Sequence, residues 1–503
     1  MSQLSLRVVH LWALLPLALV AAFLALAPSS PHDFWWHLKV GELVETQGVP
    51  RTNIFAWGVP ADTPFVYAAW LADWLAYQLV VLFGPGGPVQ ARNILGTLAF
   101  AAVVVEAQRR SGSWRLAGLA VLLAGAMASN NFGTRPQNWA WLPFVVFVGI
   151  AARIAAGQLA ARWLLALPLI TVFWANAHGS FVLAPVLAWI FVVGAAAEAW
   201  LAHDLAARRR VSWLALAALA VSLAPIVNPI GVEIFGYVLR LLTDPSSQRL
   251  VVEWQPPNPR APAGAVFFLA VVLLLAAFGA GPRRPTLTDV LLCCALLWLA
   301  CSGQRYVVWF GLAAMPILAQ CLGRPAPPAA VLGTEPGVRA ERLVVGATIL
   351  AVLVGLVALQ PPFKAQLPVP AWYRGLFAAV PGAPLLFTND TPVAAAEYLR
   401  ANPAPGRLFN DMAYGSYLIW ALGDTTPVFV DTRVELFPLA IWGQYQAISN
   451  GEQVDRLISD YNIERVMLDL PRQGGLAAVL AADRANWRRE FAQDRTEIYR
   501  RIR

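Results

Sequence analysis

A short motif near the N-terminus, Asp33-Phe34-Trp35-Trp36-His37, brings together a carboxylate, two indole rings and an imidazole. It follows an apolar run from 8 to 26 that is long enough to cross about 30 Å of hydrocarbon. The motif therefore emerges at a membrane exit. Asp33 and His37 are four residues apart and share one face of a helix. Such a carboxylate can act as a general base on a hydroxyl or an amine, while His37 tunes it or holds a phosphate. Helix capping and interfacial anchoring are the simpler alternatives.

Two other features of the same region carry either a binding or a structural role. Trp35 and Trp36 are interfacial anchors or part of a substrate surface. Asp73 lies in an apolar, aromatic-rich run from 67 to 83, where a helix at the headgroup level would hold it against the membrane. We expect these three residues to contact substrate.

The composition indicates the class of protein. The chain has 503 residues, of which 58% are hydrophobic and only 13% are charged, as expected for a polytopic membrane protein and not for a soluble one. The net charge of +8 comes mostly from arginines between apolar runs, which is typical of loops that orient membrane helices and excludes a nucleic-acid-binding surface. No cysteine or histidine spacing predicts a metal site.

Hydropathy predicts about eleven spans, at 8–28, 88–107, 115–129, 138–156, 163–176, 181–203, 211–227, 263–281, 287–302, 306–322 and 343–360. The arginine clusters at 109–115, 208–210 and 283–284 fall on the same side as Arg7 only if 67–83 does not span. Residues 29–87 are then one large external loop. A tilted extra span at 67–83 is the alternative.

With that topology, several polar turns face the external side. Guanidinium groups suited to phosphate binding, an amide and an imidazole at a membrane boundary, and an acid beside an indole suited to a sugar are found there: Arg135, Arg305, Asn176, His178, Glu253 and Trp254. We expect these residues to bind substrate. Turn and cap chemistry is the alternative for each.

Residues 363–503 have a charged, soluble composition and form a second predicted domain, after a membrane domain at 1–362. Short apolar runs at 407–410, 427–431 and 465–470 alternate with helical patterns. This alternation predicts a small, largely parallel α/β sheet. Loops that follow such strands carry ligands, which directs attention to the segments at 410–415 and 431–435, although turns and helix caps explain them too.

Together these motifs resemble the bacterial integral-membrane glycosyltransferases of the GT-C superfamily. The resemblance covers nearly the whole chain. It rests on the Asp-x-Trp-Trp-His-Leu motif, the spaced glycines and proline at 41–50, and the Arg-Pro-Gln, Asn-x-His-Gly-Ser, Asn-Pro-x-Gly and Glu-Trp-Gln-Pro-Pro segments. The terminal Asn-Asp and Val-Asp-x-Arg segments add to it. It is closest to an uncharacterised branch.

The resemblance implies a polyprenyl-phosphate-linked sugar donor and a site facing away from the cytoplasm, with Asp33 as the base. Arg135, His178 and Arg305 are then candidates for the lipid-linked phosphate. The sequence departs from the family where Phe34 stands in place of a second acid and where the second external loop has amides. We therefore expect no divalent metal, since amides alone bind such ions weakly.

These observations predict a polytopic α-helical membrane protein with a C-terminal extracytoplasmic α/β domain in a bacterial inner membrane. Its expected activity is inverting transfer of a hexosyl or pentosyl group from the lipid-linked donor to a glycan, lipid or protein acceptor. Its expected partners are that donor and membrane lipids, with no cofactor and no nucleic acid. A transporter or flippase of a lipid-linked or anionic solute and a non-catalytic assembly scaffold are the alternatives.

Overall fold

The computed structural model describes residues 7–30, 32–324 and 338–502 of the chain. Its internal contacts divide it into two compact units. The first, here the helical unit, comprises Met1–Ala27, Gln90–Ile234 and Glu253–Leu367. The second, here the mixed unit, comprises Pro28–Val89, Phe235–Val252 and Pro368–Arg503. The first predicted loop and the C-terminal third of the chain thus fold together, while the predicted domain boundary after 362 stays a prediction.

The helical unit is built from long apolar helices with short connections. Their bounds are Val8–Leu26, Gly86–Ser111, Trp114–Met127, Asn138–Ala155, Ala166–Ala177, Leu183–Leu201, Leu205–Leu223, Pro262–Ala280, Leu287–Ser302, Val307–Leu322 and Val338–Ala358, with a short Pro361–Lys364 turn. Eight helical stretches in the described part of the chain are long and apolar enough to cross a membrane. Each predicted span coincides with a helix. The three predicted at 115–129, 163–176 and 287–302 lie on shorter apolar helices.

One close helix contact in this unit depends on a glycine. Helix Val8–Leu26 packs against helix Trp114–Met127. A Cβ added to Gly118 would lie 2.0 Å from the carbonyl oxygen of Trp12. Small residues allow membrane helices to approach in this way and gain van der Waals contact where the hydrophobic effect between helices is absent.

The mixed unit combines helices with one small sheet. Its helices are Phe34–Gln47, Trp70–Phe83, Glu233–Thr243, Pro245–Leu250, Ala371–Arg374, Val393–Ala401, Met412–Leu422, Leu439–Asn450, Val454–Asp460 and Gly474–Ala482. Its strands are β1 (Arg407–Asn410), β2 (Ile463–Asp469), β3 (Trp487–Gln493) and β4 (Thr496–Arg501). The predicted apolar run at 67–83 thus forms a 14-residue helix, and whether it lies at the headgroup level stays a prediction.

The sheet has the order β1-β2-β4-β3. Strands β1 and β2 are parallel, whereas β2 with β4 and β3 with β4 are antiparallel. The prediction of an α/β domain is confirmed, but the prediction of a largely parallel sheet is wrong. The reason is the terminal β3–β4 hairpin, whose charged residues gave no strand pattern: β3 alternates poorly and exposes most of its side chains.

The predicted strand at 427–431 is also wrong, because this segment pairs with the first loop and not with the sheet. The backbone of Val428 donates to the Phe55 carbonyl at 3.1 Å and accepts from Trp57 at 2.9 Å. The Asn410 side chain, at the end of β1, accepts from the Phe429 backbone at 2.7 Å. Residues of the first loop are therefore part of the core of the mixed unit.

A buried ion pair completes this attachment. Asp431 and Arg433 are 0% and 1% exposed, and their side chains meet at 2.6 Å. The guanidinium lies over the rings of Phe55 and Phe65 and donates to the Tyr67 hydroxyl at 3.0 Å. Burial raises the pKa of Tyr67 to about 12, so the hydroxyl stays protonated and can also donate to the Thr52 carbonyl. These contacts satisfy the buried charge of Arg433 and hold the first loop against the segment that carries it.

Candidate functional site

Asp33 lies immediately before helix Phe34–Gln47 in the mixed unit. Its side chain does not cap this helix, so capping is not the role that the structure gives it. The His37 backbone donates to the Asp33 carbonyl at 3.2 Å, which places both residues on the first helical turn as their spacing predicts. The catalytic role of Asp33 remains a prediction.

His37 is held by Asp73 from the second helix of the loop. The His37 Nδ1 atom lies 2.8 Å from an Asp73 carboxylate oxygen. The Asp73 side chain is only 1% exposed. The two side chains are within ion-pair distance, but their geometry is not that of a hydrogen bond. The imidazole also stacks on Trp36, with ring centroids 3.6 Å apart. This contact, together with the stacking on Trp36, orients the His37 imidazole.

The two helices can meet at this point because of Gly41, one turn beyond His37. A Cβ at position 41 would lie 2.2 Å from the Asp73 carbonyl oxygen and 2.7 Å from the Cβ of Tyr77. Any larger residue would therefore separate the helices and lengthen the contact between His37 and Asp73.

The two tryptophans of the motif pack inside the mixed unit. Trp35 is 1% exposed and contacts the rings of Phe387 and Tyr417. Trp36 is 8% exposed, and its Nε1 atom donates to the Thr432 hydroxyl at 3.2 Å. The structure gives both residues packing contacts in the core of the mixed unit, and their predicted contact with substrate stays a prediction.

In the helical unit, three of the predicted polar turns come together. The Arg135 guanidinium pairs with the Glu253 carboxylate, and both side chains are partly exposed. Beside Glu253, the Trp254 ring supports the Arg305 guanidinium, whose Cζ atom lies 4.8 Å from the ring centroid. This arrangement offers two guanidinium groups and one indole, of which one guanidinium is already neutralised by an acid.

Amide side chains tie these turns to each other. Gln304 accepts from the Asn130 side chain at 3.2 Å, and its backbone donates to the Gln255 carbonyl at 2.9 Å. The Gln137 side chain donates to the Arg305 carbonyl at 3.1 Å. The turns that were predicted to face one side thus meet within the helical unit. We call the group formed by Arg135, Glu253, Trp254 and Arg305 the arginine cluster.

Asn176 and His178 make side-chain hydrogen bonds within the helical unit. The Asn176 side chain donates to the carbonyls of Val172 and Val227, both at 2.8 Å. His178 Nδ1 accepts from the Ser180 backbone at 3.1 Å. In the neutral imidazole this acceptor role places the proton on Nε2, which presents His178 as a donor. The substrate roles of both residues stay predictions.

The loop after β1, which the sequence singled out, contains a charge-balanced network. Asp411 pairs with Arg472 at 2.8 Å, and Asp469 at the end of β2 pairs with Arg495 and Arg472. The Tyr414 hydroxyl donates to Asp469 at 2.9 Å. Burial raises the pKa of Asp411, and Arg472 opposes this effect. Asp411 also caps helix Met412–Leu422, so the capping interpretation of this loop has direct support.

Two acids near Asp33 were missed by the sequence analysis. Glu435 belongs to the segment at 431–435 that was singled out, but nothing in the sequence connected it with Asp33. Asp244, in a different connection, gave no signal at all. Both carboxylates interact electrostatically within the mixed unit, and Asp33 and Asp244 both affect the ionisation of Glu435.

The chain is similar in structure to several solved proteins. It matches the archaeal oligosaccharyltransferase AglB from Archaeoglobus fulgidus, solved in complex with an inhibitory peptide and a dolichol-phosphate, with a TM-score of 0.58 and 12% identity over 92% of this chain and 69% of that one. It matches ArnT from Cupriavidus metallidurans with a TM-score of 0.50 and 17% identity over 96% of both chains. It also matches the arabinofuranosyltransferase AftD from Mycobacteria with a TM-score of 0.52 and 15% identity, over 99% of this chain and 42% of AftD.

No protein-family model and no curated protein sequence matches the chain. The structural similarities nevertheless extend over more than nine-tenths of it. They show that the chain shares the fold of these proteins, with apolar helices long enough to cross a membrane and a small C-terminal sheet.

Proposed function

We propose that this protein is a membrane glycosyltransferase that moves a sugar from a polyprenyl-phosphate-linked donor to an acceptor on the extracytoplasmic face. The observation that carries the proposal is the similarity in fold to AglB and AftD, which are named as glycosyltransferases, over nearly the whole chain. The AglB structure contains a dolichol-phosphate, which supports a lipid-linked donor here. The sugar is a hexose or a pentose, and the acceptor is a glycan, a lipid or a protein.

In this proposal Asp33 is the general base. The Asp33 carboxylate takes the proton from an acceptor hydroxyl or amine while the acceptor atom forms a bond to the anomeric carbon. The bond from that carbon to the phosphate oxygen breaks, and the lipid phosphate leaves with the electron pair. Attack from the face opposite the leaving group inverts the anomeric centre.

His37 acts beside this base. Asp73 fixes the imidazole through the 2.8 Å contact, so that His37 contacts substrate in one orientation. Asp73 thereby acts as a positioning residue, which refines its predicted role in substrate binding.

We assign phosphate binding to the arginine cluster. Within the helical unit, Arg305, which lies over Trp254, supplies a positive charge suited to binding a lipid-linked phosphate. Arg135 pairs with Glu253 and adds a second guanidinium once that acid binds a sugar hydroxyl. No step of this proposal requires a divalent metal.

Transport is the second candidate function. The charged groups within the helices of this protein argue against it. Glu106 pairs with Arg109 and Arg110 near the end of helix Gly86–Ser111. Asp289 pairs with Arg110 and closes a capping box at the start of its helix, while Glu198 accepts from Thr288. These acids stabilise helix ends, whereas a translocation pathway places polar groups at mid-membrane.

The proposal is tested with purified protein in liposomes that contain a radiolabelled lipid-linked sugar extract. Transfer of label from the lipid to an acceptor supports it. Movement of intact labelled lipid between leaflets, without cleavage of the sugar-phosphate bond, would contradict it and support a flippase.

A further inference from the structure

The segment that carries Glu435 is attached to both sides of Asp33 within the mixed unit. The Thr432 hydroxyl donates to the His32 carbonyl at 3.0 Å and accepts from Trp36 Nε1 at 3.2 Å. His32 precedes Asp33 and Trp36 follows it, so this one hydroxyl fixes the 432–435 segment against the base. Glu435 lies three residues further on, in the turn Val434–Leu436.

A third segment approaches the same turn from another side. The Ser246 hydroxyl donates to the Phe437 carbonyl at 3.2 Å, and Ser246 is 2% exposed. Asp244, two residues earlier, caps the short helix Pro245–Leu250 by accepting from the Ser247 backbone at 2.6 Å. The carboxylates of Asp33, Asp244 and Glu435 thus come from three distant parts of the sequence and share one electrostatic environment.

The ionisation of Glu435 responds to this environment. Burial of this half-buried carboxyl raises the pKa of Glu435 from 4.5 to about 7. Asp33 and Asp244 act in the same direction, while the Arg433 guanidinium and a backbone hydrogen bond oppose them. Glu435 therefore changes charge near neutral pH, whereas ordinary carboxylates are ionised well below it.

We propose that Glu435 is a positioning residue that sets the proton affinity of Asp33, and so supplies the second acid that the first loop lacks. This inference rests on the proposed function of Asp33. When Glu435 is ionised, its negative charge makes Asp33 a stronger base towards the acceptor proton. When Glu435 is protonated, that charge is absent and Asp33 is weaker.

The first test compares the pH dependence of sugar transfer in wild type and in Glu435→Gln. Wild-type activity should rise with pH, with a midpoint near 7. Glu435→Gln should lose this step and fall several-fold at pH 8, because the negative charge that strengthens Asp33 as a base is gone. An unchanged midpoint in Glu435→Gln would overturn the inference while leaving the proposed function intact.

Asp244→Asn is the matched variant, because asparagine is equally suited to cap a helix and only the charge is removed. Loss of this charge should lower the pKa of Glu435 and move the activity midpoint to lower pH. A structural role of Asp244 alone would change the rate without moving the midpoint.

A second test does not depend on activity. The folded-state pKa of Glu435 is raised, so the folded protein holds this proton more tightly than the unfolded chain does. Stability is therefore lost as pH rises from about 4.5 towards 7. Glu435→Gln should remove this loss of stability. Asp33→Asn should lower the pH at which the loss is complete. The exposed acid variant Glu452→Gln is the control.

The two tests separate the possible failures. If wild type transfers no sugar but Asp33→Asn still moves the stability transition, the proposed function fails and the coupling of the two carboxylates stands. If Asp33→Asn leaves the stability transition of Glu435 in place, the coupling does not exist and the inference is overturned, whatever the activity.

Discussion

The Nδ1 atom of His37 lies 2.8 Å from a carboxylate oxygen of Asp73, on two helices of the first loop that pack directly against each other. This contact joins two residues that the sequence presents 36 positions apart. The orientation of His37 therefore depends on the buried Asp73 side chain.

The first prediction concerns that contact. Asp73→Asn keeps the shape of the side chain but replaces the carboxylate that contacts His37 Nδ1 with an amide, so the imidazole loses its preferred orientation. We expect the rate of sugar transfer to fall at least about tenfold, equivalent to about 1.4 kcal/mol in activation free energy. Initial rates would measure the loss. Asp62→Asn, which changes an exposed acid of the same loop, should retain wild-type activity.

The second prediction concerns helix packing. Gly41→Ala places a methyl group 2.2 Å from the Asp73 carbonyl oxygen, so the two helices must separate. We expect a loss of about 1–3 kcal/mol in unfolding free energy, measured by thermal unfolding in detergent. Gly443→Ala is the matched control: no atom lies within 4 Å of its new Cβ, and it lies inside a helix. It should be neutral or stabilising by about 0.5–1 kcal/mol.

The third prediction concerns the buried ion pair. Arg433→Met leaves the Asp431 carboxylate buried without its partner, which should cost about 3–5 kcal/mol of stability. The double variant Asp431→Asn with Arg433→Met should cost less than Arg433→Met alone, as seen in thermal unfolding. Arg456→Met removes an exposed ion pair with Asp460 and should change stability by less than about 1 kcal/mol. Equal losses from both arginine variants would show that burial of the first pair is unimportant.

The fourth prediction separates binding from chemistry in the arginine cluster. Arg305→Ala removes the guanidinium that lies over Trp254. We expect the KM for the lipid-linked donor to rise about tenfold, since a charge-assisted contact to phosphate contributes about 1.5–3 kcal/mol. Steady-state kinetics over a range of donor concentrations would show it. Arg162→Ala removes an exposed arginine and should leave the KM unchanged.

Much of the fold was predictable from local sequence patterns. Each predicted span lies on a helix, and the runs at 407–410 and 465–470 form strands β1 and β2, because hydrophobic periodicity and run length directly reflect burial. The hairpin of β3 and β4 was missed, because the charged residues of 487–493 do not alternate with apolar ones as they do in a half-buried strand. The segment at 427–431 was misassigned because its strand-like composition serves pairing with residues 55–58.

The site was less predictable than the fold for a physical reason. Asp33, His37 and Asp73 were singled out, yet their spacing could not show that the His37 side chain meets Asp73. Likewise, Thr432 bonds to residues on both sides of Asp33 from about 400 positions away. Such contacts depend on the packing of distant segments, which the local patterns of a single sequence do not show.

The central claim is that Asp33 is the base of a sugar transfer from a lipid-linked donor. The most direct test measures transfer of labelled sugar in liposomes by wild type, Asp33→Asn and the control Asp62→Asn, with thermal unfolding used to confirm that all three are folded. We predict transfer by wild type and Asp62→Asn, and a loss of at least about a hundredfold in Asp33→Asn, as expected when general-base catalysis is removed. Near-normal transfer by folded Asp33→Asn would contradict this account.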